Sequence, residues 1–586
     1  MKSMKISDYV ASFLVEQGVR HVFLITGGAA VHLVDSIGRN PDIDYICTQH
    51  EQAAAMAAEA YSRVTQNLGV ALATSGPGAT NLITGVCCAY FDSIPTVFIT
   101  GQVPRSQLKR DYSVRQLGFQ ETDVVSMFKS VTKSAVLVYI PGKIRYFLEQ
   151  AVHLAKSGRP GPVLVDIPDD IQRAEVEPDQ LEPFTPEEEA KKGIPVDDVI
   201  GLLQRSKRPV VILGGGVKLA KAQDNAREFV ERLGFPVALT WGGMDIFPSD
   251  HPLVIGGFGV SSPRWGNFAV QNSDLILTIG TRLDTHQTGA DPSTFAIKAK
   301  RIVVDIDRGE LDKYKRRGME VDITIEADAK DFFNAIIDKL DIPRQDISDW
   351  ISKIGKWKSK YPICPPEYYI QGQVNPYVFM NWLSDASSKG DIVITDAGAT
   401  LTGTMQALRV KEGQRLFSSF NHSPMGYALP ASIGASFADL VNTVICITGD
   451  GGMQMNIQEL ATIARHKLPI KIFLMDNRGY GIIKQTQDTW LDSRYEASSE
   501  EGGLALPDFI KIARAYGMGT ETISNHRELS LKIRKVLDTK GAVLCTVTVN
   551  PGAKIIPKLT IGRPIEDSAP LLDRKEFLEN MLREGD

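Results

Sequence analysis

Residues 444 to 477 read VICITGDGGMQMNIQELATIARHKLPIKIFLMDN, and this stretch decides the fold class. Val444 to Thr448 has the β-branched composition of a strand and runs directly into Gly449-Asp450-Gly451-Gly452. A helix is expected from about Asn456 to His466, and a second strand from Ile470 to Met475 delivers Asp476-Asn477. The result is a βαβ unit with two strand C-termini side by side. Open α/β sheets bind ligands at that edge. The glycines let the backbone approach a phosphate and aim N–H groups at it. Asp450 and Asn477 offer the hard oxygens that suit Mg²⁺, an ion that keeps few protein ligands and completes its octahedron with phosphate and water. A Gly-Asp-Gly after a strand also serves as a plain turn. The second strand ending in Asp-Asn favours a metal–phosphate clamp over that reading.

The rest of the chain extends the pattern. Short β-rich runs alternate with helical ones at His21 to Ile25, Val70 to Thr74, Thr96 to Thr100, Val163 to Ile167, Val210 to Leu213, Leu275 to Ile279, Ile302 to Ile306, Ile392 to Thr395 and Val543 to Val549. This predicts an α/β protein of three doubly wound parallel-sheet domains, at about 1–180, 190–340 and 372–555. Residues 173 to 193 are acidic and proline-bearing and read as a linker. Residues 341 to 373, with Pro343, Pro362, Pro365 and Pro366, read as a second. The tail, 556–586, lacks a strand pattern and is expected to form an arm. No short sequence repeat is visible.

Composition narrows the function classes. A chain of 586 residues exceeds one hydrophobic core, so several domains are required. The net charge of −5 comes without a basic block, which argues against nucleic acid as a partner. No stretch is long and apolar enough to span a membrane, and the N-terminus reads as an amphipathic helix instead of a signal peptide. Cys47, Cys87, Cys88, Cys364, Cys446 and Cys545 are scattered, mostly in apolar runs, and suit reduced core thiols of a cytoplasmic protein.

Asn477 follows Asp450 by 27 positions, and Gly-Asp-Gly with an Asn at that spacing resembles the signature of thiamine-diphosphate enzymes. The resemblance implies Mg²⁺ ligands at Asp450, Asn477 and the Gly479 carbonyl, with Gly451 and Gly452 against the diphosphate. Further motifs agree. Thr48 to Arg63, Thr74-Ser-Gly-Pro-Gly-Ala-Thr-Asn-Leu, Asp92-Ser-Ile-Pro and Ile99-Thr-Gly-Gln-Val-Pro are similar to the acetolactate synthase group. By itself Glu51 reads as a helix-start carboxylate favoured by the dipole. In that group the glutamate at its position hydrogen-bonds N1′ of the aminopyrimidine and so promotes the tautomer whose 4′-imino group is the internal base. Met425, in Ser423-Pro-Met-Gly-Tyr, falls where a bulky apolar residue wedges the cofactor into its bent shape; core packing is the plainer alternative. Gly398, Ala399 and Thr400 resemble a second diphosphate contact, and Gly28 the loop that reaches in from the pyrimidine-binding domain.

Between these regions, Gly215 lies in a triple glycine after a strand, Arg282 in Gly280-Thr-Arg-Leu-Asp, and Asp305 in Val304-Asp-Ile-Asp. All three resemble acetolactate synthase flavin contacts, and Asp328 adds a fourth. FAD is the expected ligand, with ADP or none in other relatives of the fold. The chain departs from the group between Phe258 and Asn267 and at His286-Gln-Thr.

On the substrate side, Phe119 and Gln120 keep the pair that lines the family pocket. Thr486 stands where acetohydroxyacid synthases carry the tryptophan that helps choose the second keto acid, and Asp169 replaces a lysine. His422 replaces an apolar residue, as a structural histidine or as an acid/base or anchoring group. The resemblance implies decarboxylation of pyruvate and transfer of the two-carbon unit to a carbonyl acceptor, in a homodimer or homotetramer whose active sites need two chains. A 2-oxo acid decarboxylase or a flavin oxidase would share these motifs. A non-catalytic regulatory subunit would have lost Glu51, Asp450 or Asn477.

Overall fold

Three six-stranded sheets organise the computed structural model, which describes residues 3–187, 192–340, 345–370 and 372–582. Every strand pair within them is parallel. The strands are near-continuous apolar runs such as Val444–Gly449 and Pro209–Leu213, as sheets covered on both faces require. The sheets fall within 1–180, 190–340 and 372–555.

Across its width the N-terminal sheet runs Asp44–Cys47, His21–Leu24, Gly69–Ala73, Thr96–Gln102, Val163–Pro168, Ser134–Leu137. The C-terminal sheet runs Arg415–Phe417, Ile392–Thr395, Val444–Gly449, Lys471–Asp476, Val543–Thr548, Gly519–Ile523. Counted in chain order, both follow 2-1-3-4-6-5. The two outer domains therefore share one topology. The central sheet runs Val254–Gly257, Val237–Leu239, Pro209–Leu213, Leu275–Ile279, Lys300–Asp305, Ile323–Glu326, which is 3-2-1-4-5-6, the winding of dinucleotide-binding sheets.

Two helices join the outer domains. Glu51–Thr65 and Ala428–Ala438 each follow the second strand of their sheet, so they are topological counterparts. Small residues let them touch: a Cβ on Gly434 would lie 1.9 Å from the Ala57 carbonyl oxygen. Between them Glu59, fully buried, is held by Arg63 and the Tyr427 hydroxyl.

Three expectations need correction. The helix expected from Asn456 to His466 begins at the glycines, as Asp450–Met455. It breaks at Asn456 and resumes as a 3-10 turn, Ile457–Glu459, and an α-helix, Leu460–His466, which together cover nearly all of the expected span. The break occurs because the Asn456 amide is drawn to the Gly426 carbonyl, at 2.8 Å. The second expected linker contains a helix, Ser348–Lys360, whose Trp350 and Trp357 are buried and bond the Pro209 carbonyl (3.1 Å) and Asn580 (2.8 Å). Its prolines lie outside that helix, and Pro343 lies outside the described residues. The first expected linker lies partly outside them, at 188–191; earlier in it Glu175–Val176 pairs antiparallel with Met4–Lys5. The C-terminal arm lies on the central domain through Asn267 to the Ile565 carbonyl (2.8 Å) and Gln271 to Glu566 (2.6 Å). Cys47 is exposed at its strand end, unlike the core thiols. Among the described residues no helix is long and apolar enough to cross a membrane.

Candidate active site

Three strand ends of the C-terminal sheet meet at its switch point, between the first and third strands in chain order, where such sheets bind ligands. Asp450 sits there, 1% exposed. One of its carboxylate oxygens accepts the Gly451 N–H at 2.7 Å and the other the Gly479 N–H at 2.9 Å. The turn after Asn477 is thereby pinned to the strand end that carries Asp450. Gly479 has φ +153°, and a Cβ there would lie 2.4 Å from the Ser498 carbonyl oxygen. Burial pushes the Asp450 carboxyl up to about 6, and the nearby Asp476 adds to the effect. Arg478, next in sequence to Asn477, pairs instead with Glu500. A buried carboxylate bonded to the turn that follows Asn477 is the donor type a hard divalent cation takes.

The glycines and the Met425 loop close around this point. A Cβ on Gly451 would come 2.2 Å from the Tyr480 ring and 2.8 Å from the Met425 methyl, so those two side chains flank the backbone there. A Cβ on Gly398 would meet Ile482 at 3.4 Å. One on Gly481 would lie 3.7 Å from the Ala399 Cβ and 2.5 Å from the Asn477 amide. Thr400 donates to the Ala397 carbonyl at 2.8 Å. Gly398, Ala399, Thr400, Gly451, Gly452 and Asn477 thus share one floor.

Asp396 holds that floor together, a role the sequence reading did not assign. It is 1% exposed. It accepts the Gly426 N–H at 2.8 Å, the Ala397 N–H at 2.7 Å and the Thr448 hydroxyl at 3.0 Å, and so ties two strand ends to the Met425 loop. Burial raises its carboxyl above the usual range. The signal was its position at the strand terminus immediately before Ala397-Gly398.

Glu51 is the first residue of its helix and is 8% exposed. Asn81 donates to it at 3.0 Å, and a Cβ on Gly78 would sit 3.4 Å from its other oxygen. The His50 ring caps the helix by accepting the Gln52 N–H at 3.1 Å. Glu459, also unassigned by the sequence reading, crosses from the C-terminal domain to accept the Gln49 N–H at 2.9 Å. Its second oxygen accepts the Thr462 hydroxyl at 2.8 Å, and burial pushes its carboxyl up to about 7. Gln120, with φ +62°, packs its backbone oxygen 2.9 Å from where a Gly76 Cβ would be, so the Thr74 to Gly78 turn abuts it. Glu121 shapes that loop by accepting the Lys109 N–H (2.7 Å) and the Leu117 N–H (2.8 Å). Phe119 stands at its crest, 84% exposed. Gly28 is exposed, with open space around it.

The central domain carries a cavity of about 1140 Å³ where all three domains meet. Gly215, Arg282, Asp305 and Asp328 all line it, with Arg63 from the N-terminal domain and Phe420 from the C-terminal domain. Its volume suits a dinucleotide. The floor is the switch point of the central sheet, where Gly216 and Gly280 approach so closely that a Cβ on the first would lie 2.7 Å from the second. Burial pushes the Asp305 carboxyl up to about 6. Asp328 also caps the following helix by accepting the Lys330 N–H at 2.8 Å. His286 packs on Trp241 with ring centroids 4.0 Å apart, and burial holds its imidazole below the usual range.

His422 is exposed and stacks on Phe91 at 5.5 Å and 14°. Partial burial of the ring lowers its pKa, against the pull of Asp92. Thr486 is exposed on the helix Gly481–Trp490, and its hydroxyl donates to the Ile482 carbonyl at 3.0 Å. Trp490 follows one turn later on the same face, 59% exposed. Asp169 pairs with Arg173 at 2.8 Å.

The domains match those of one class of enzyme. Residues 4–127 match the thiamine pyrophosphate enzyme N-terminal TPP binding domain, 196–336 the central domain, and 396–547 the C-terminal TPP binding domain. The chain is 33% identical over 562 residues to the acetolactate synthase large subunit of Cyanidium caldarium, covering 94% of each chain. It is 33% identical over 579 residues to acetolactate synthase 2, chloroplastic, of Nicotiana tabacum (96% of this chain, 84% of the relative). It is 34% identical over 581 residues to acetolactate synthase 1, chloroplastic, of Zea mays (96% and 88%). The chain belongs to the acetolactate synthase family of thiamine-diphosphate enzymes.

Proposed function

We propose that the protein is a thiamine-diphosphate-dependent carboligase of the acetolactate synthase type. It decarboxylates pyruvate or a similar 2-oxo acid and transfers the two-carbon unit to a carbonyl acceptor. The observation that carries this reading is the buried Asp450 joined to the turn after Asn477 beside Met425, in a chain that also keeps Glu51 on Asn81.

Asp450, Asn477 and the Gly479 carbonyl would hold Mg²⁺, and the backbone at Gly398 to Thr400 and Gly451-Gly452 would face the diphosphate. When bound, thiamine diphosphate supplies the carbon nucleophile and accepts the electron pair released with CO₂. The chain supplies placement and protons. Glu51 would share a proton with N1′ of the aminopyrimidine, its carboxyl oriented by Asn81. Met425 would provide an apolar wall against the cofactor. Phe119, Gln120 and Thr486 are the residues we assign to the acceptor side, and to His422 we assign anchoring or protonation of the acceptor. The small side chain at Thr486 suits an acceptor larger than pyruvate, a ketone or keto sugar included.

FAD is the ligand we assign to the central cavity, through Gly215, Arg282, Asp305 and Asp328; decarboxylation and ligation balance without net redox, so the flavin has a structural part. The exposure of Gly28, Phe119 and Thr486 favours completion of the site by a second chain, in a homodimer or homotetramer. Six free cysteines suit a reducing compartment, and we place the protein in the cytoplasm. Incubation of the holoenzyme with ¹³C-pyruvate and a panel of ketones, aldehydes and nucleotide-linked keto sugars, read by mass spectrometry, tests the assignment. Labelled acetolactate or another acyloin is expected. Free aldehyde alone would make it a decarboxylase, and peroxide an oxidase.

A further inference from the structure

The central cavity and the Met425 loop are joined by a short chain of hydrogen bonds. Arg282, on the cavity wall, donates to the Asn421 side-chain oxygen. The Asn421 amide donates in turn to Asp92 at 2.6 Å and to the Phe91 carbonyl at 3.2 Å. Asp92 also accepts the backbone N–H groups of Phe420 (2.8 Å) and Asn421 (3.0 Å), and is itself fixed by Arg63 at 2.6 Å. Four residues on, Met425 lies against Gly451. At the far end of the loop Gly426 is bound to Asp396, and Tyr427 to Glu59. The loop is therefore anchored at both ends: its 420–421 end is bonded directly to the cavity-wall group Arg282, whereas Tyr427 reaches the cavity-lining Arg63 through Glu59. Phe420 and Asn421 line that cavity themselves.

We propose that Asn421 is a positioning residue that couples the central cavity to the Met425 loop, so that a flavin dinucleotide and thiamine diphosphate bind with positive coupling. This rests on the reading that the first fills the cavity and the second lies against Met425. A ligand packed on Arg282 and Phe420 immobilises the guanidinium, and with it Asn421 and the start of the loop. The ordering that thiamine diphosphate would otherwise impose on the loop is then already in place, so the second ligand binds more tightly. The coupling is reciprocal, because it is a difference between binding free energies.

The test uses the full chain freed of both cofactors. Thiamine diphosphate is titrated at saturating Mg²⁺ by tryptophan fluorescence, without and with saturating FAD, and FAD is titrated without and with thiamine diphosphate. In the wild type each ligand is expected to tighten the other roughly 5- to 20-fold, by the same factor in both directions. Asn421→Ala should bring the factor to within about two-fold while thiamine diphosphate alone keeps its affinity and FAD alone weakens by no more than a few-fold, since Asn421 lines the cavity. The variant should fold, since Arg282 retains Asp284 at 3.1 Å and Asp92 retains Arg63. A merely structural role would weaken both affinities and leave the factor unchanged. Equal coupling in Asn421→Ala and wild type, or a wild type that binds both ligands independently, would overturn the coupling alone. A wild type with no flavin signal at saturating FAD would overturn the cavity assignment with it.

Discussion

Glu459 offers the sharpest test of how Glu51 is placed, because one buried carboxylate holds the Gln49 N–H two residues upstream. The perturbation is Glu459→Gln. In the folded protein the carboxyl is pushed up to about 7 by burial, against an ordinary value of 4.5. The folded state therefore binds the proton more tightly than the unfolded chain. The stability this contributes is fully present below pH 4.5 and is lost as the pH rises through 7, a span worth at most about 3 kcal/mol. Glutamine cannot titrate. Its amide oxygen still accepts the Gln49 N–H, and the Thr462 hydroxyl can turn to accept from its NH₂. The variant and the wild type should melt together near pH 4.5, and the variant should gain as the pH rises. If a unit of about 200 residues melts cooperatively, the gap at pH 8 is at most roughly 10 °C. Activity should survive. Glu459→Ala, by contrast, leaves the Gln49 N–H without its acceptor, costs about 1 kcal/mol locally, and should slow the step served by Glu51 while thiamine diphosphate affinity holds. The assay is a melt of both variants at pH 5, 6, 7 and 8. A difference from wild type that does not change with pH would refute the buried-carboxylate argument.

Glu51→Gln should leave cofactor affinity nearly intact and slow hydrogen–deuterium exchange at thiazolium C2 by about two to four orders of magnitude; exchange at the wild-type rate would remove Glu51 from the proton relay. Asp450→Asn keeps the shape but halves the acceptor capacity facing Gly451 and Gly479 and removes the charge. Calorimetric affinity for thiamine diphosphate should fall by at least ten-fold and recover only in part with excess Mg²⁺; unchanged affinity would contradict the clamp. Thr486→Trp puts an indole, on the order of 200 Å² of surface, one helical turn before Trp490. Competition between acceptors should then shift toward the smallest, with pyruvate decarboxylation less affected, whereas an unaltered acceptor range would show that position 486 does not border the acceptor.

Much of this molecule was legible in the residues alone. Parallel strands buried on both faces are near-continuous apolar runs, so Val444 to Thr448 and Pro209 to Leu213 could be placed without any tertiary information. Ligands gather at strand C-termini, so short polar motifs there, Gly449 to Gly452 and Asp476-Asn477, pointed to the C-terminal half of the candidate site. Helix limits were less legible where a side chain had a distant partner: Asn456 breaks the helix for the sake of the Gly426 carbonyl, which is far away in sequence. The helix at Ser348–Lys360 was hidden among prolines that flank it, although Trp350, Ile354 and Trp357 already mark its buried face.

Sequence by itself determined the three-sheet α/β architecture and the family, because local periodicity and short glycine motifs carry that information. Tertiary structure alone decided that the two outer domains share one strand order, since topology is a matter of which strands pair and leaves no repeat in the residues. It alone gathered Gly215, Arg282, Asp305 and Asp328 around one cavity with Arg63 and Phe420 from the other domains. It also set the roles of Asp396, Glu459 and Asn421. Glu459 and Asn421 have partners across a domain seam, and Asp396 has partners on other strand ends and loops of its own domain; a hydrogen bond reaches only about 3 Å, a distance that sequence separation does not encode.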